Sequence, residues 1–199
     1  PPPEGYSSWE EYNESQQQIE PTQTLPTKLI PPPLSSEHYL SKAYINIEYN
    51  YKISYSQNCN INLTQAPKMI TISMGESSSL GAVAIVVEDY EELVLVQDTQ
   101  QPDTQLEIEN FLVLVAYKIT EDLKSRYSDL VITKNEYSES LMTLEVSYSS
   151  DGFKFTGIYD LRWHNYSLYK IYGAIMDTVS DEVAVRSTMS SFEYIDSSD

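Results

Sequence analysis

Apolar and polar residues alternate most regularly in the C-terminal half of the chain. In residues 141–148 the even positions are apolar, and in 153–163 five large apolar residues, Phe153, Phe155, Tyr159, Leu161 and Trp163, lie at odd positions. The Ser-Asp-Gly sequence at 150–152 separates these segments, and Asp-Gly is a strong signal for a hairpin turn. A third segment, 168–176, follows a turn at 164–166. We therefore predict a three-stranded antiparallel meander with one apolar face to cover.

Earlier segments follow the same rule. Residues 45–55 alternate without a break, which predicts one continuous strand. Shorter runs predict a turn at 58–62 that carries Cys59, strands at 68–74, 80–88 and around 131–133, and a short apolar segment at 93–96.

The period changes to that of a helix after Pro102. Thr104-Gln105-Leu106-Glu107 fits a capping box. The apolar residues that follow at helical spacing are Ile108, Phe111, Leu112, Val115, Ile119 and Leu123. We predict one amphipathic helix over 104–127. A strand over 111–119 is the competing interpretation, because Val113 and Leu114 lie outside the helical stripe.

A second helix is expected over 181–190, capped by Thr178 or Ser180, and residues 192–195 are expected to close the core. The predicted fold class is α+β, an antiparallel sheet with helices packed on it. Residues 39–195 are assigned to one globular domain and 196–199 to a tail.

Residues 1–38 have the composition of an extended arm. Proline is concentrated there, and apolar periodicity is almost absent. Such an arm becomes ordered only by lying on its own domain or on a neighbouring chain, and otherwise it is a mobile tail. Its aromatic residues Tyr6, Trp9 and Tyr12 are the predicted partner contacts.

The charge balance excludes whole classes of partner. Thirty acidic residues face 12 basic ones, which gives a net charge of −18. Nucleic acids and anionic membranes both require cationic patches and are repelled by such a surface, so we exclude nucleic acid as a partner. The longest apolar runs, 80–87 and 111–117, are far shorter than the roughly 18 residues of a membrane-spanning helix.

Three sequons favour an extracellular or cell-surface location over a cytoplasmic one with accidental sequons. They begin at Asn13, Asn62 and Asn165, and the last two fall in predicted turns. The chain begins with proline and without a signal peptide, as expected of a processed protein or a fragment. The single cysteine excludes an internal disulfide, and Cys59 is either free or paired between subunits.

Catalytic groupings are weak. Asp160, Arg162 and His164 share the polar face of one predicted strand. Positions i and i+4 of a strand are about 13 Å apart, so an exposed ion-pair ladder is expected rather than an acid–base pair. The Ser-x-x-Lys string at Ser167–Lys170 also lies in a predicted strand, where its two side chains point to opposite faces.

Calcium is the one metal that the composition admits, because it binds carboxylates and carbonyls. Glu88, Asp89, Glu91 and Glu92 form the densest acidic cluster and are the calcium candidates. A solvated acidic loop is the alternative, and no EF-hand spacing is present. No other cofactor is expected.

Short motifs resemble the PsbP-like family, which comprises extrinsic photosystem II subunits, secreted lipoproteins and a Ran-binding relative. The similar segments are Tyr51-Lys52-Ile53-Ser54-Tyr55, the hairpin at Asp151-Gly152, Leu168-Tyr169-Lys170-Ile171-Tyr172 and Met189-Ser190-Ser191-Phe192. The resemblance spans about 43–195 and implies an α/β/α sandwich. Asn58-Cys59-Asn60 stands where the family usually has an aromatic residue, and no functional residue of the family is matched.

These observations predict a secreted, non-enzymatic structural or assembly protein. Its arm and domain would contact neighbouring protein subunits, in a homo-oligomer or a larger complex. The alternative is an accessory module of a membrane-associated or extracellular complex that binds a ligand or calcium.

Overall fold

The structure, a computed structural model of the 199-residue chain, describes residues 40–74, 81–93, 101–138, 140–177 and 182–195. The predicted arm with Tyr6, Trp9, Tyr12 and Asn13, the helix caps Thr178 and Ser180, the segment 94–96 and the tail 196–199 lie outside the described residues.

Strands dominate the described residues. The strands are β1 (Lys42–Asn46), β2 (Tyr51–Tyr55), β3 (Asn60–Gln65), β4 (Met69–Ser73), β5 (Ala82–Asp89), β6 (Val131–Ser138), β7 (Leu141–Ser150), β8 (Phe153–His164), β9 (Ser167–Met176) and β10 (Glu193–Tyr194). The helices are α1 (Gln105–Arg126), α2 (Glu182–Ser190) and a single 3-10 turn (Tyr90–Glu92).

Two antiparallel sheets result. The larger has the strand order β3-β4-β5-β9-β8-β7-β6, and the smaller has the order β1-β2-β10. The predicted meander is present as β7, β8 and β9, which pair along their whole lengths. Strand β5 pairs with β9, so the first half of the chain joins the sheet beside its last long strand.

Helix α1 covers one face of the meander. Its N-cap is Thr104, whose side chain accepts a hydrogen bond from the Glu107 backbone in a capping box. Phe111, Leu112 and Val115 are buried in a cluster that includes strands β7 and β8. The helix is confirmed, and the competing strand over 111–119 is wrong.

Helix α2 and the small sheet cover the opposite face. Tyr51, Ile85 and Ile171 belong to the core cluster there. At Gly173 of β9 a Cβ atom would lie 2.8 Å from Val185 of α2, so the missing side chain allows close packing of the helix on the sheet. Helices on both faces of one antiparallel sheet give the α+β fold class that the sequence predicts.

The continuous strand over 45–55 is wrong, because a turn at residues 47–50 divides it into β1 and β2. Asn46 pairs with Tyr51, so four residues are left in the loop and the alternation continues in phase across it. The Asn46 side chain holds the turn: its Oδ1 accepts a hydrogen bond from the Tyr49 backbone, and its Nδ2 donates to the Pro67 carbonyl at 2.8 Å. Ile47, at the tip, is 84% exposed.

Candidate functional site

A pocket of about 480 Å³ lies where β8 ends beside the β6–β7 connection. Its wall combines hydroxyl, cationic and aromatic side chains: Ser138, Ser140, Arg162, Trp163, His164 and Tyr194. These residues come from β6, the β6–β7 connection, β8 and β10. The pocket therefore forms only when the two sheets have assembled.

Arg162 lines this pocket, and no acidic partner for it is found in the part of the chain that the structure describes. Its guanidinium carbon is 5.1 Å from the centre of the Phe192 ring, a cation–π contact. Its Nε is buried and has no hydrogen-bond partner, and within the described residues Arg162 makes no ion pair. The other two arginines are paired, since Arg126 contacts Asp122 and Arg186 contacts Glu145 through two nitrogens.

Tyr194 is the second residue of the pocket with an unsatisfied polar atom. Its Oη is buried and has no hydrogen-bond partner among the described residues. Its ring stacks on His164 with centroids 4.0 Å apart. Burial raises the pKa of Tyr194, and nearby Arg162 acts in the opposite direction. The phenol is therefore neutral at physiological pH and can donate a hydrogen bond.

The exposed ion-pair ladder of Asp160, Arg162 and His164 is wrong. The face of β8 that carries them lies against α2 and the small sheet. Arg162 contacts the Phe192 ring, and His164 stacks on Tyr194 of β10. Asp160 accepts a hydrogen bond from Thr143 Oγ1 at 3.1 Å and does not ion-pair with Arg162. Burial raises the pKa of Asp160, and Arg162 lowers it by a smaller amount.

The predicted calcium cluster begins at the end of β5, where its first two carboxylates contact lysines. Glu88 forms an ion pair with Lys170, and Asp89 forms one with Lys68 at 3.4 Å. Asp89 also accepts a hydrogen bond from the Tyr49 hydroxyl at 3.1 Å. These contacts neutralise part of the negative charge that a calcium ion would require.

The remaining two calcium candidates lie in the 3-10 turn that follows. Glu91 is exposed, and the side chain of Glu92 lies outside the described part of the structure. In that part, no three His, Cys, Asp or Glu residues are grouped to hold a metal ion. Ser167 bonds to Asp89, whereas Lys170 pairs with Glu88, so the Ser-x-x-Lys residues contact different carboxylates.

The outward side of α1 is apolar and exposed. Leu106, Val113, Leu114 and Tyr117 are 67%, 45%, 40% and 57% exposed, respectively. We call these four residues the outer face of α1. Their spacing brings them onto one side of the helix, opposite the buried residues. Val113 and Leu114 fell outside the stripe in the sequence pattern, and this irregularity was the available signal for a second apolar face.

Two predicted modification sites are described. Asn165 lies in the β8–β9 turn with a φ of 46°, as expected for asparagine in a turn. Asn62 is exposed, but it lies in β3, so its placement in a turn is wrong. Cys59 is also not on a polar turn surface: it is buried, 3.4 Å from the Met74 sulfur. Cys59 directly precedes strand β3, and its side chain belongs to the core cluster.

None of the helices in the described residues is long and apolar enough to cross a membrane. The sequence matches no protein-family model and no curated protein. The structure, in contrast, is similar to the solution structure of cyanobacterial PsbP (CyanoP) from Synechocystis sp. PCC 6803. The match has a TM-score of 0.52 at 12% identity and covers 77% of this chain and 91% of that one.

The chain has the PsbP-like fold. This confirms the fold expected from the sequence resemblance. A crystal structure from Bacteroides thetaiotaomicron VPI-5482 is also similar, with a TM-score of 0.46 at 8% identity, over 79% of this chain and 50% of that one. At these identities the PsbP-like comparison establishes the fold alone.

Proposed function

We propose that this PsbP-like chain is a secreted, non-enzymatic assembly protein that docks on another protein subunit through the outer face of α1. The observation that carries the proposal is the exposure of four large apolar side chains on one side of a single helix. Large apolar side chains exposed on one side of a helix typically mark a contact with another macromolecule.

The outer face has the form of a helical docking surface. Leu106 and Tyr117 are eleven positions apart, so the face extends roughly 16 Å along the helix axis. Tyr117 supplies an aromatic side chain, the type that most often dominates binding energy at interfaces. Charged residues of both signs lie on the same helix, and Glu121 forms an ion pair with Lys124 at 3.2 Å.

Charge favours a different subunit over a second copy of this chain. A net charge of −18 opposes self-association, because two copies of this acidic chain repel each other as they approach. A partner with an apolar groove and basic residues at its rim would remove that repulsion. The homo-oligomer expected as one option from the sequence is therefore the less favourable arrangement.

The arm and the sequons belong to the same proposal. Residues 1–38 would make a second contact through Tyr6, Trp9 and Tyr12, so their deletion should weaken assembly. Secretion would leave glycans on Asn62 or Asn165, both exposed in the structure. A shift in mass after glycosidase treatment of the natural protein would support secretion, and its absence at all three sequons would count against it.

Photo-cross-linking tests the docking surface. A photoreactive amino acid replaces Val113 of α1 in cells that make the complex, and the same replacement at Val131 of β6 is the control. The two valines are 45% and 57% exposed, so accessibility alone predicts similar labelling. The proposal predicts a discrete protein adduct from position 113 and little from 131. Equal labelling at both positions, or none at 113, would contradict it.

A further inference from the structure

We propose that the pocket at the end of β8 binds the carboxylate group of a small organic monoanion, with Arg162 as its main ligand. This inference is independent of the docking surface on α1. It rests on the buried polar atoms, the charge and the shape of the pocket.

Two of the residues that line this pocket carry a buried polar atom without a hydrogen-bond partner in the described part of the structure. Four buried side-chain atoms among the described residues have no hydrogen-bond partner, and two of them belong to Arg162 and Tyr194. Each such atom is costly, because it has lost its bonds to water and gained none in return. A binding site explains the unsatisfied atoms of Arg162 and Tyr194, because the donors of such a site find acceptors only when a ligand is bound.

The charge of Arg162 points to an anion. The chain has 30 acidic residues, yet within its described part none of them pairs with this arginine, while Arg126 and Arg186 each contact carboxylates. The nearest acidic residue on its own strand face, Asp160, bonds instead to Thr143. The guanidinium therefore lies partly buried beside a cavity with its charge uncompensated by an ion pair.

A carboxylate fits the donors better than a phosphate does. The planar guanidinium matches a carboxylate in a two-bond geometry. Around it the pocket offers the Ser138 hydroxyl and the neutral phenol of Tyr194. One full positive charge balances one negative charge, whereas a phosphate of nearly two charges would meet the repulsion of an acidic chain. Arg162 Nε and Tyr194 Oη are buried, so the proposal requires both side chains to rotate toward the ligand when it binds.

The rest of the wall accommodates an apolar body. Leu141 and Trp163 line the same pocket, and Trp163 is held by the Phe111 ring at a centroid distance of 5.1 Å. A volume of about 480 Å³ lies within the range of small-molecule sites. The ligand class is therefore a short-chain or aromatic monocarboxylate.

Tryptophan fluorescence provides the assay. The chain has two tryptophans, so Trp9→Phe leaves Trp163 as the sole reporter in the full-length protein. Hexanoate, which does not absorb at the excitation wavelength, is titrated at constant ionic strength. The proposal predicts a saturable change in emission in the millimolar range. Hexanol and inorganic phosphate, titrated in parallel, should bind at least about tenfold more weakly, because each lacks the planar monoanion.

Variants separate the pocket from a general charge effect. Arg162→Gln should weaken hexanoate binding about tenfold or more, and Arg162→Lys, which keeps the charge, should retain part of it. Arg126→Gln removes the same charge from α1, outside the pocket lining, and should leave binding unchanged. Circular dichroism confirms that each variant is folded. An absent signal, equal binding of hexanol, tighter binding of phosphate, or full binding by a folded Arg162→Gln would each overturn the proposal.

Discussion

Two leucines on opposite sides of α1 provide a direct test of its orientation. Leu112 is fully buried against the meander, whereas Leu114 is 40% exposed on the outer face. Leu112→Ala and Leu114→Ala remove the same atoms from the same helix, so their effects on helix propensity cancel in the comparison. The remaining difference reports how much each side chain is packed inside the domain.

The expected magnitudes differ clearly. Truncation of a fully buried leucine typically costs about 2–5 kcal/mol, because it removes apolar burial and leaves a cavity. Leu114 keeps 40% of its surface in water, so its truncation removes little more than half of a burial contribution of roughly 2 kcal/mol, or about 1 kcal/mol. We therefore expect Leu112→Ala to be the more destabilising by about 2 kcal/mol.

Urea unfolding, followed by circular dichroism, measures the difference. For a domain of this size, a difference of about 2 kcal/mol lowers the midpoint by about 1 M at an unchanged slope. Equal midpoints for the two variants would refute the orientation of α1. Leu114→Ala should in addition weaken docking to the partner subunit. A substitution inside the domain that causes the same loss of stability should leave docking unchanged.

Three further predictions concern packing and buried polar groups. Gly173→Ala should destabilise the domain by about 1–3 kcal/mol in urea unfolding, because its Cβ would overlap side chains of α2. Gly157→Ala is the control: the nearest neighbour of its Cβ would be 3.2 Å away, so it should destabilise the domain less. Equal losses of stability would contradict the close approach of α2. Thr188→Val should raise the melting temperature, because it removes a buried hydroxyl that has no hydrogen-bond partner among the described residues. Thr120→Val should lower it, because Thr120 Oγ1 donates to the Ala116 carbonyl at 2.9 Å. A loss of stability in both variants would contradict the expected difference. Burial raises the pKa of Asp160, so the stability linked to this group is greatest at low pH and falls as the pH rises through the raised pKa. Asp160→Asn should therefore increase stability at neutral pH and lose that advantage below the ordinary pKa of aspartate. Urea unfolding at the two pH values measures the change. A gain in stability that is the same at both would contradict a raised pKa of Asp160.

The elements with local signals could be predicted from sequence. The Asp-Gly turn predicted the β7–β8 hairpin, and the capping box at Thr104 predicted the start of α1. The hairpin between β1 and β2 was missed for a local reason as well. Its four-residue loop preserves the alternation of Ile45 to Tyr55, so periodicity alone does not reveal the turn.

Features that depend on contacts between distant segments could not be predicted in this way. The pattern of β8 shows an apolar and a polar face, but it does not show that α2 covers the polar face with Asp160. The pocket joins Ser138, Arg162 and Tyr194, which come from three strands and two sheets. No spacing in the sequence connects these three positions, and the spacing of Arg162 relates it only to its neighbours on the strand.

Hydroxyl-radical footprinting of the natural assembly measures whether the outer face of α1 is covered by another subunit. Tyr117, on the outer face of α1, and Tyr166, in the β8–β9 turn, are 57% and 65% exposed, so the isolated chain should be oxidised similarly at both. In the assembly, the account predicts several-fold protection of Tyr117, Val113 and Leu114, with Tyr166 unchanged. Equal oxidation of Tyr117 in the isolated and assembled protein would contradict the claim that this face docks on a partner subunit.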